Sequence, residues 1–404
     1  MKILIASDFY IPTINGVVTS VMNLKEGLEL LGHEVRVLAL SREGKSYYKN
    51  GVYYIDSIDA SRIYPDARFI IPNKRKERRE IMEWKPDLIH TQNEFSTFYI
   101  ARKIARDLSV PMVHTYHTVY EDYTHYFFRS KMFGCMMVAF CTKLLGRNVN
   151  CIIAPTNKIS NIVNNHGVQC PVSIISSGIS LEQFHTPVAE EELNKCKKRL
   201  QIPEGQFVLL SVSRIGKEKK VEDLIHFING LQDPTISLVI VGDGPEKAKL
   251  QKLVENFGLQ AQVKFTGMVQ PHEVPLYYQL ADVFVSASTS EAQGLTYIES
   301  LASGTPILCR EDECLQGVLE EGITGYSFVE EKDFLEKLKL MRNPERLEQM
   351  STTAVESSQQ YTRDTFVENV LHVYEKYYRQ CGYVKTKVSV GKRIPFYRKR
   401  RIYN

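Results

Sequence analysis

Short apolar runs alternate with helix-length segments along most of this chain, and the series stops at a charged stretch and begins again at Phe207. The first run, Ile3-Leu4-Ile5-Ala6, ends in a polar loop holding Pro12, Asn15 and Gly16. Val17, Val21, Leu24, Leu28 and Leu31 follow at helical spacing until Gly32 stops them. Strand patterns recur at residues 35–40, 87–90, 111–115, Cys151–Ala154 and 172–175. Strands joined through helices cannot pair as tight hairpins, so the pattern predicts a parallel sheet covered on both faces. Charged residues 190–199 and the turn Pro203-Glu204-Gly205 then interrupt it. It resumes with Phe207–Val212, Ile236–Val241 and residues 263–265, 282–286 and 305–308. The chain reads as α/β, with two Rossmann-like doubly wound parallel-sheet domains at residues 1–185 and 186–370, and residues 371–404 rejoining the first. A length of 404 residues agrees, since one hydrophobic core rarely organises so much chain.

Composition removes several classes of function. Apolar residues at 43% and charged residues at 24% are those of an ordinary folded protein. A formal charge of +4 is too small to argue for nucleic acid. The eight cysteines form no C-x-x-C pair and have no His at metal-ligand spacing, which leaves reduced, structural thiols. The opening MKILIASDFY lacks the basic and apolar regions of a signal peptide and reads as the first strand. The longest apolar run, residues 132–141, falls short of the roughly 20 residues a spanning helix needs, so no transmembrane segment is expected.

Ligands of open parallel sheets bind beyond the carboxyl ends of the strands, so two such sheets facing across a cleft would aim both sets of loops at one ligand. The stretch Glu291-Ala292-Gln293-Gly294-Leu295-Thr296-Tyr297-Ile298-Glu299 follows the strand Val283-Phe284-Val285 and begins a helix. Gly294 lets the backbone approach a ligand, and the first amides of the helix can receive a diphosphate. Glu291 and Glu299 can each accept from vicinal hydroxyls; an ordinary loop with two solvated acids fits the spacing equally. Arg214, with Lys219 five residues on, follows the strand ending at Val212 and could neutralise a leaving diphosphate. Gly242-Asp243-Gly244-Pro245 ends another strand in a tight turn, while Asn15-Gly16-Val17 offers amides at a helix start in the first domain. His114-Thr115-Tyr116-His117-Thr118 ends a strand and could bring His117 to the sugar.

Taken together, the paired glutamates, the Arg214 and Lys219 pair, the Gly242 turn, the Gly16 loop and His117 resemble the retaining glycosyltransferases of family 4, which have the GT-B fold. The resemblance covers nearly the whole chain. It implies that Arg214 and Lys219 bind the donor diphosphate and Glu299 the ribose. It gives the donor sugar to Glu291 with the Gly294 and Leu295 amides, and the base to backbone near Met268 and Val269. Glu291, Arg214, Lys219 and His117 would carry catalysis; Gly16, Val17, Gly242 and Gln293 complete the donor set. Gln293 stands where the wider family carries an aromatic residue. The variant Glu-x-Gln-Gly-Leu is similar to that of bacterial diacylglycerol glucosyltransferases, as are residues 114–118 followed by 120–128. That resemblance implies a UDP-sugar, with UDP-glucose preferred over a GDP-sugar, as co-substrate and a lipid acceptor. The chain lacks the Asp-x-Asp that holds metal in the other large transferase fold, so no cofactor and no metal are expected.

A lipid acceptor implies a cytoplasmic enzyme peripheral at the inner face of the membrane. Lys74-Arg75-Lys76-Glu77-Arg78-Arg79 and the terminal cluster from Lys392 to Tyr403 supply cations, and aromatics are interleaved in the latter, which suits an anionic surface better than nucleic acid. Residues 132–141 read first as a core helix and second as a helix dipping into one leaflet. Rival functions are a hexosyltransferase extending a polysaccharide or lipid-linked glycan, a UDP-sugar 2-epimerase, which needs no acceptor, and a silent binding module. Intact Arg214, Lys219, Glu291 and Glu299 speak against the last.

Overall fold

The computed structural model describes residues 1–61, 67–70, 75–128 and 130–388. It accounts for the unbroken apolar runs: Ile3, Leu4, Ile5 and Ala6 are all fully buried, because helices cover both faces of the sheet they belong to. The strands of the first unit are β1 (Lys2–Ala6), β2 (Glu34–Ser41), β3 (Tyr47–Lys49), β4 (Val52–Asp59), β5 (Arg68–Ile70), β6 (Leu88–Thr91), β7 (Met112–Thr115), β8 (Cys151–Ala154) and β9 (Val172–Ile174). They lie in the order β3-β4-β2-β1-β6-β7-β8-β9, with β5 on β4. Neighbours are parallel except where β4 meets β3 and β5. The chain moves outward through β2 and β4, then returns past β1 to β6, so the loops after β1 and β6 flank the point where the winding reverses.

The helix Gly16–Leu30 buries Val18, Val21, Leu24 and Leu28 against this sheet. Gly27 on it admits the last helix, Arg363–Val388: a Cβ there would lie 2.4 Å from Val367 Cγ2. Phe366, Val367, Val370, Tyr374 and Tyr377 of that helix share one core with Ile3, Ile5, Val37 and Val113.

The second unit holds β10 (Phe207–Val212), β11 (Ile236–Val241), β12 (Val263–Gly267), β13 (Val283–Ser286), β14 (Ile307–Arg310) and β15 (Gly325–Phe328). They are parallel, in the order β12-β11-β10-β13-β14-β15, and the winding reverses between β10 and β13. Alternate residues of β10 feed the two faces: Val208 and Leu210 join one core, Leu209 the other.

The chain divides after Gly178 and not after residue 185, because Ile179, Leu181 and Phe184 are buried in the second unit's core. It leaves that unit after Thr362 and not after 370, since Phe366, Val367 and Val370 pack on the first sheet. Among the described residues no disulfide links the cysteines; Cys151, Cys196, Cys309 and Cys314 are buried and Cys141 is exposed.

Residues 132–141 do not form the core helix expected of them. The helix Lys131–Gly146 buries Gly134, Thr142, Leu145 and Gly146, while Met132, Phe133, Met136, Phe140 and Leu144 face outward. Its inner side is held by small residues: a Cβ on Gly134 would come within 2.7 Å of Thr124, and one on Gly146 within 2.7 Å of Val168. No helix among the described residues is long and apolar enough to cross a membrane. Within the first basic stretch, Arg78 pairs with Asp107 and Arg79 with Glu83 at 2.9 Å, while Lys74 lies outside the described residues. The terminal cluster, residues 392–403, also lies outside them.

Candidate active site

In the second unit the site grows from the two loops that flank the winding reversal. The chain leaves β10 through Ser213 and Arg214 and is pinned to the turn after β11: the Ser213 amide donates to Val241 O at 3.1 Å and the Ile215 amide to Asp243 O at 2.9 Å. Glycine is required for that approach. Gly242 sits at φ 132, and a Cβ on it would lie 1.9 Å from Ser213 O; one on Gly244 would lie 2.4 Å from Ile215 O. The Gly242 turn, expected to leave room for a ligand, thus makes room first for the backbone that carries Arg214.

Arg214 donates to Glu218 Oε1 at 2.5 Å, and the Glu218 side chain is only 2% exposed. A carboxylate so deeply buried is stable only when paired, and the pairing fixes the direction of the guanidinium. Lys219 Nζ donates to Glu291 Oε1 at 2.6 Å, and Ser290 Oγ donates to Glu218 O at 3.3 Å, so the loops after β10 and β13 are tied side chain to side chain and side chain to backbone. Lys219 and Glu291 therefore meet across the two loops, and Arg214 is held by Glu218, the residue next to Lys219 in the chain.

Gly294 follows at φ 75, a left-handed conformation that lets the loop turn into the helix Leu295–Ala302. Tyr297, 1% exposed, lies beneath: a Cβ on Gly294 would strike its ring at 2.5 Å. Gln293 is buried. The first amides of this helix have no acceptor within it and carry the positive end of its dipole. Glu299 sits on the second turn and accepts from Tyr278 OH at 2.9 Å. Burial pushes its carboxyl up to about 7, against the lowering effect of the Tyr278 hydroxyl. Met268, 56% exposed, and the half-buried Val269 follow β12, further along the same carboxyl edge.

In the first unit, Asn15 caps the helix Gly16–Leu30 by accepting from the Val18 amide at 2.9 Å, which leaves Gly16 exposed and Val17 half-buried at its first turn. His117, beyond β7, pairs through Nε2 with Gln92 Oε1 at 2.7 Å. Burial, with His114 nearby, pushes the imidazole down to about 3, so it is neutral at pH 7. A carbonyl oxygen only accepts, so Nε2 carries the proton and Nδ1 keeps a lone pair able to accept from a hydroxyl.

Several polar residues at this edge were not anticipated. Asp8 accepts from the Ser96 and Thr97 amides at 3.1 and 2.7 Å, and burial raises its carboxyl to about 6. Glu94 meets His114 Nε2 at 3.2 Å and accepts a short hydrogen bond from Tyr120 OH. Their signal was present only as polar residues directly after β1 and β6. A cavity of about 120 Å³ opens beside Asp8, lined by Tyr10, Arg42, Tyr47, Tyr54 and Arg68.

The comparisons with known proteins agree with this geometry. Residues 194–357 match the model of the glycosyl transferases group 1, and residues 14–183 that of Glycosyltransferase Family 4. An alpha-monoglucosyldiacylglycerol synthase of Acholeplasma laidlawii is 35% identical over 387 residues, 93% of this chain and 96% of that one. One of Streptococcus pneumoniae is 36% identical over 337 residues, 82% and 76% of the two chains. Among solved structures, Anabaena Alr3699/HepE in complex with UDP superposes with a TM-score of 0.73 at 15% identity, covering 93% of this chain and all of that one. Sucrose-phosphate synthase from Thermosynechococcus elongatus does so with a TM-score of 0.72 at 19% identity, covering 94% and 99%. Two reversing parallel sheets, charged loops at the reversal and identity along nearly the whole chain together make this protein a member of glycosyltransferase family 4, with the GT-B fold.

Proposed function

We propose that the protein transfers glucose from UDP-glucose, with retention at the anomeric carbon and without a metal ion, to a membrane lipid acceptor of the diacylglycerol type. The observation that carries this reading is the pair of tied cations at the winding reversal, Arg214 on Glu218 and Lys219 on Glu291, beside the Gly294 helix start. Two cations and a helix dipole converge where a diphosphate would leave, and a carboxylate stands beside them for the sugar hydroxyls. The two alpha-monoglucosyldiacylglycerol synthases support the choice of sugar and lipid, and the UDP complex supports the nucleotide.

In the reaction, the bond from the anomeric carbon to the diphosphate oxygen breaks with its electron pair going to that oxygen. The acceptor oxygen bonds to the same face of the sugar, and its proton passes to the departing diphosphate. Arg214 and Lys219 stabilise the growing negative charge, and Glu291 with the Gly294 and Leu295 amides holds the sugar through its oxocarbenium-like passage. His117, neutral, accepts from a sugar hydroxyl. Glu299 accepts from the ribose.

The test is to incubate purified protein with labelled UDP-glucose or UDP-galactose, with and without EDTA, and with diacylglycerol or monoglucosyldiacylglycerol in anionic liposomes, with a soluble glycan, or with no acceptor. Label in the chloroform-soluble product from UDP-glucose, with the new linkage α by NMR, supports every part of the reading. Transfer only to a soluble glycan rejects the lipid, loss of label in EDTA rejects metal independence, and donor conversion without an acceptor points to a 2-epimerase.

A further inference from the structure

The helix Lys131–Gly146 turns its bulk the wrong way for a packed element. Met132, Phe133, Met136, Phe140 and Leu144 are 75%, 51%, 62%, 55% and 38% exposed, and Met132, Met136, Phe140 and Leu144 follow one another at four-residue spacing along one side. Phe127, 49% exposed, lies just before the helix. Inward it presents Gly134, Thr142, Leu145 and Gly146. An apolar stripe of this length is larger than the scattered exposed hydrophobics of a soluble surface and calls for a partner.

We propose that this face seats the protein in the headgroup and upper acyl region of an anionic bilayer; the choice of occupant rests on the lipid-acceptor reading above. Three observations select a lipid surface. The charges that frame the stripe are of one sign: Lys131, Lys143 and Arg147 are exposed, and no acidic residue occurs from 131 to 147. At about 24 Å the helix is too short to span, so it lies along the interface with its apolar side down and its lysine stems reaching back to headgroup phosphates. The inner side of the same helix packs on the segment that reaches the first unit's polar edge. Gly134 packs on Thr124 of the 3₁₀ segment Tyr120–Tyr126, and Tyr120 at the start of that segment donates to Glu94. A lipid drawn up at this face would meet that edge one short segment away.

The experiment uses the full chain, no sugar donor, and phosphatidylcholine vesicles with and without phosphatidylglycerol. Its readout is therefore independent of whether transfer to lipid occurs. A Phe140→Trp probe in a Trp84→Phe background should shift its emission to the blue on vesicle addition and be quenched by lipids brominated near the glycerol. The combined variant Met132→Ser, Met136→Ser, Phe140→Ser should lose vesicle partitioning by about tenfold or more, because three apolar side chains no longer leave water. The corresponding leucine variant should restore it, and circular dichroism checks that each folds. If the serine variant does not fold, the tryptophan probe decides alone. Emission that stays solvent-like while the protein floats with vesicles overturns the proposal. So does a blue shift without vesicles that grows with protein concentration, which would mean that a second copy covers the face.

Discussion

At the residue scale, each cation of the proposed donor site is held by an acid before any ligand arrives. The Arg214–Glu218 and Lys219–Glu291 pairs cost the site part of its positive charge, yet they fix both cations without reorganisation, which is what stabilisation of a developing charge requires. Arg214→Ala or Lys219→Ala in folded protein should lower kcat by about a hundredfold or more, the loss of about 2.7–4 kcal/mol typical of such contacts; turnover near wild type in steady-state assays would remove them from the mechanism. Glu299 gives a pH prediction. Its carboxyl is raised to about 7, so the unliganded protein binds a proton here that the unfolded chain has already released. Its contribution to stability is therefore full at acid pH and falls as pH rises from the ordinary carboxylate range through about 7. Ribose hydroxyls favour the ionised form, so UDP affinity should weaken as pH drops from about 8 to about 6. Calorimetric titration of wild type and Glu299→Gln tests this: the variant should show a flatter profile, and an equally flat wild type would reject the role. Position after a strand or at the following helix start, together with the family resemblance, drew attention to Arg214, Lys219, Glu291 and Glu299. Their partners were invisible, because Lys219 and Glu291 are 72 residues apart and Glu299 and Tyr278 are 21 apart in chain. Nor does Glu218, between two lysines in a charged loop, look like a buried acid until the fold closes over it.

At the element scale, the turn after β11 acts as a splint for the loop after β10. Gly242→Ala would drive a Cβ into Ser213 O and demand φ 132 of a residue with a side chain. Backbone must move, so the variant should lose about 2 kcal/mol or more of stability and most activity. Lys252→Ala, at an exposed position of the helix Lys247–Asn256 in the same unit, serves as control; urea unfolding followed by circular dichroism separates them. Most of the strands that the sequence revealed are buried on both faces, such as β1, β8, β10 and β11, whose runs cannot be mistaken for anything solvated, while β9 and β12, also anticipated, are less covered. β3, β4, β5 and β15 escaped notice. β4 mixes Tyr, Asp and Ser because its flank is less covered, although Asn50-Gly51, both at positive φ, marks its turn with β3 in the sequence itself. β15 starts at Gly325, a residue that weakens a strand pattern in sequence but is required by the close Ile307 backbone: a Cβ there would lie 1.9 Å from Ile307 O. The apolar helix was misread for a related reason. Composition reports that a segment is apolar, while the side on which the small residues fall decides what it covers.

At the scale of the whole molecule, the chain visits the first unit twice. Tyr374 from the last helix gives the buried His90 its Nδ1 partner at 2.6 Å, and Thr115 Oγ1 meets Nε2 at 2.7 Å. Burial, with His114 and His117 nearby, holds His90 well below its ordinary pKa. Tyr374→Phe strands that imidazole nitrogen and should cost about 1–3 kcal/mol. Native-state hydrogen exchange should locate the loss in β6 and residues 363–380, with amides of β10–β15 unmoved; a loss spread over both units would show that the bond does not act locally. The same return of the chain sets an order of events during synthesis. The second unit is one continuous segment and has all of its core once residue 362 has left the ribosome. The first unit, though made earlier, still lacks Phe366, Val367, Val370, Tyr374 and Tyr377 at that moment. The part of the protein that is translated first is completed last, and until then the groove above Gly27 stands open on a nascent chain, a surface for chaperones to shield.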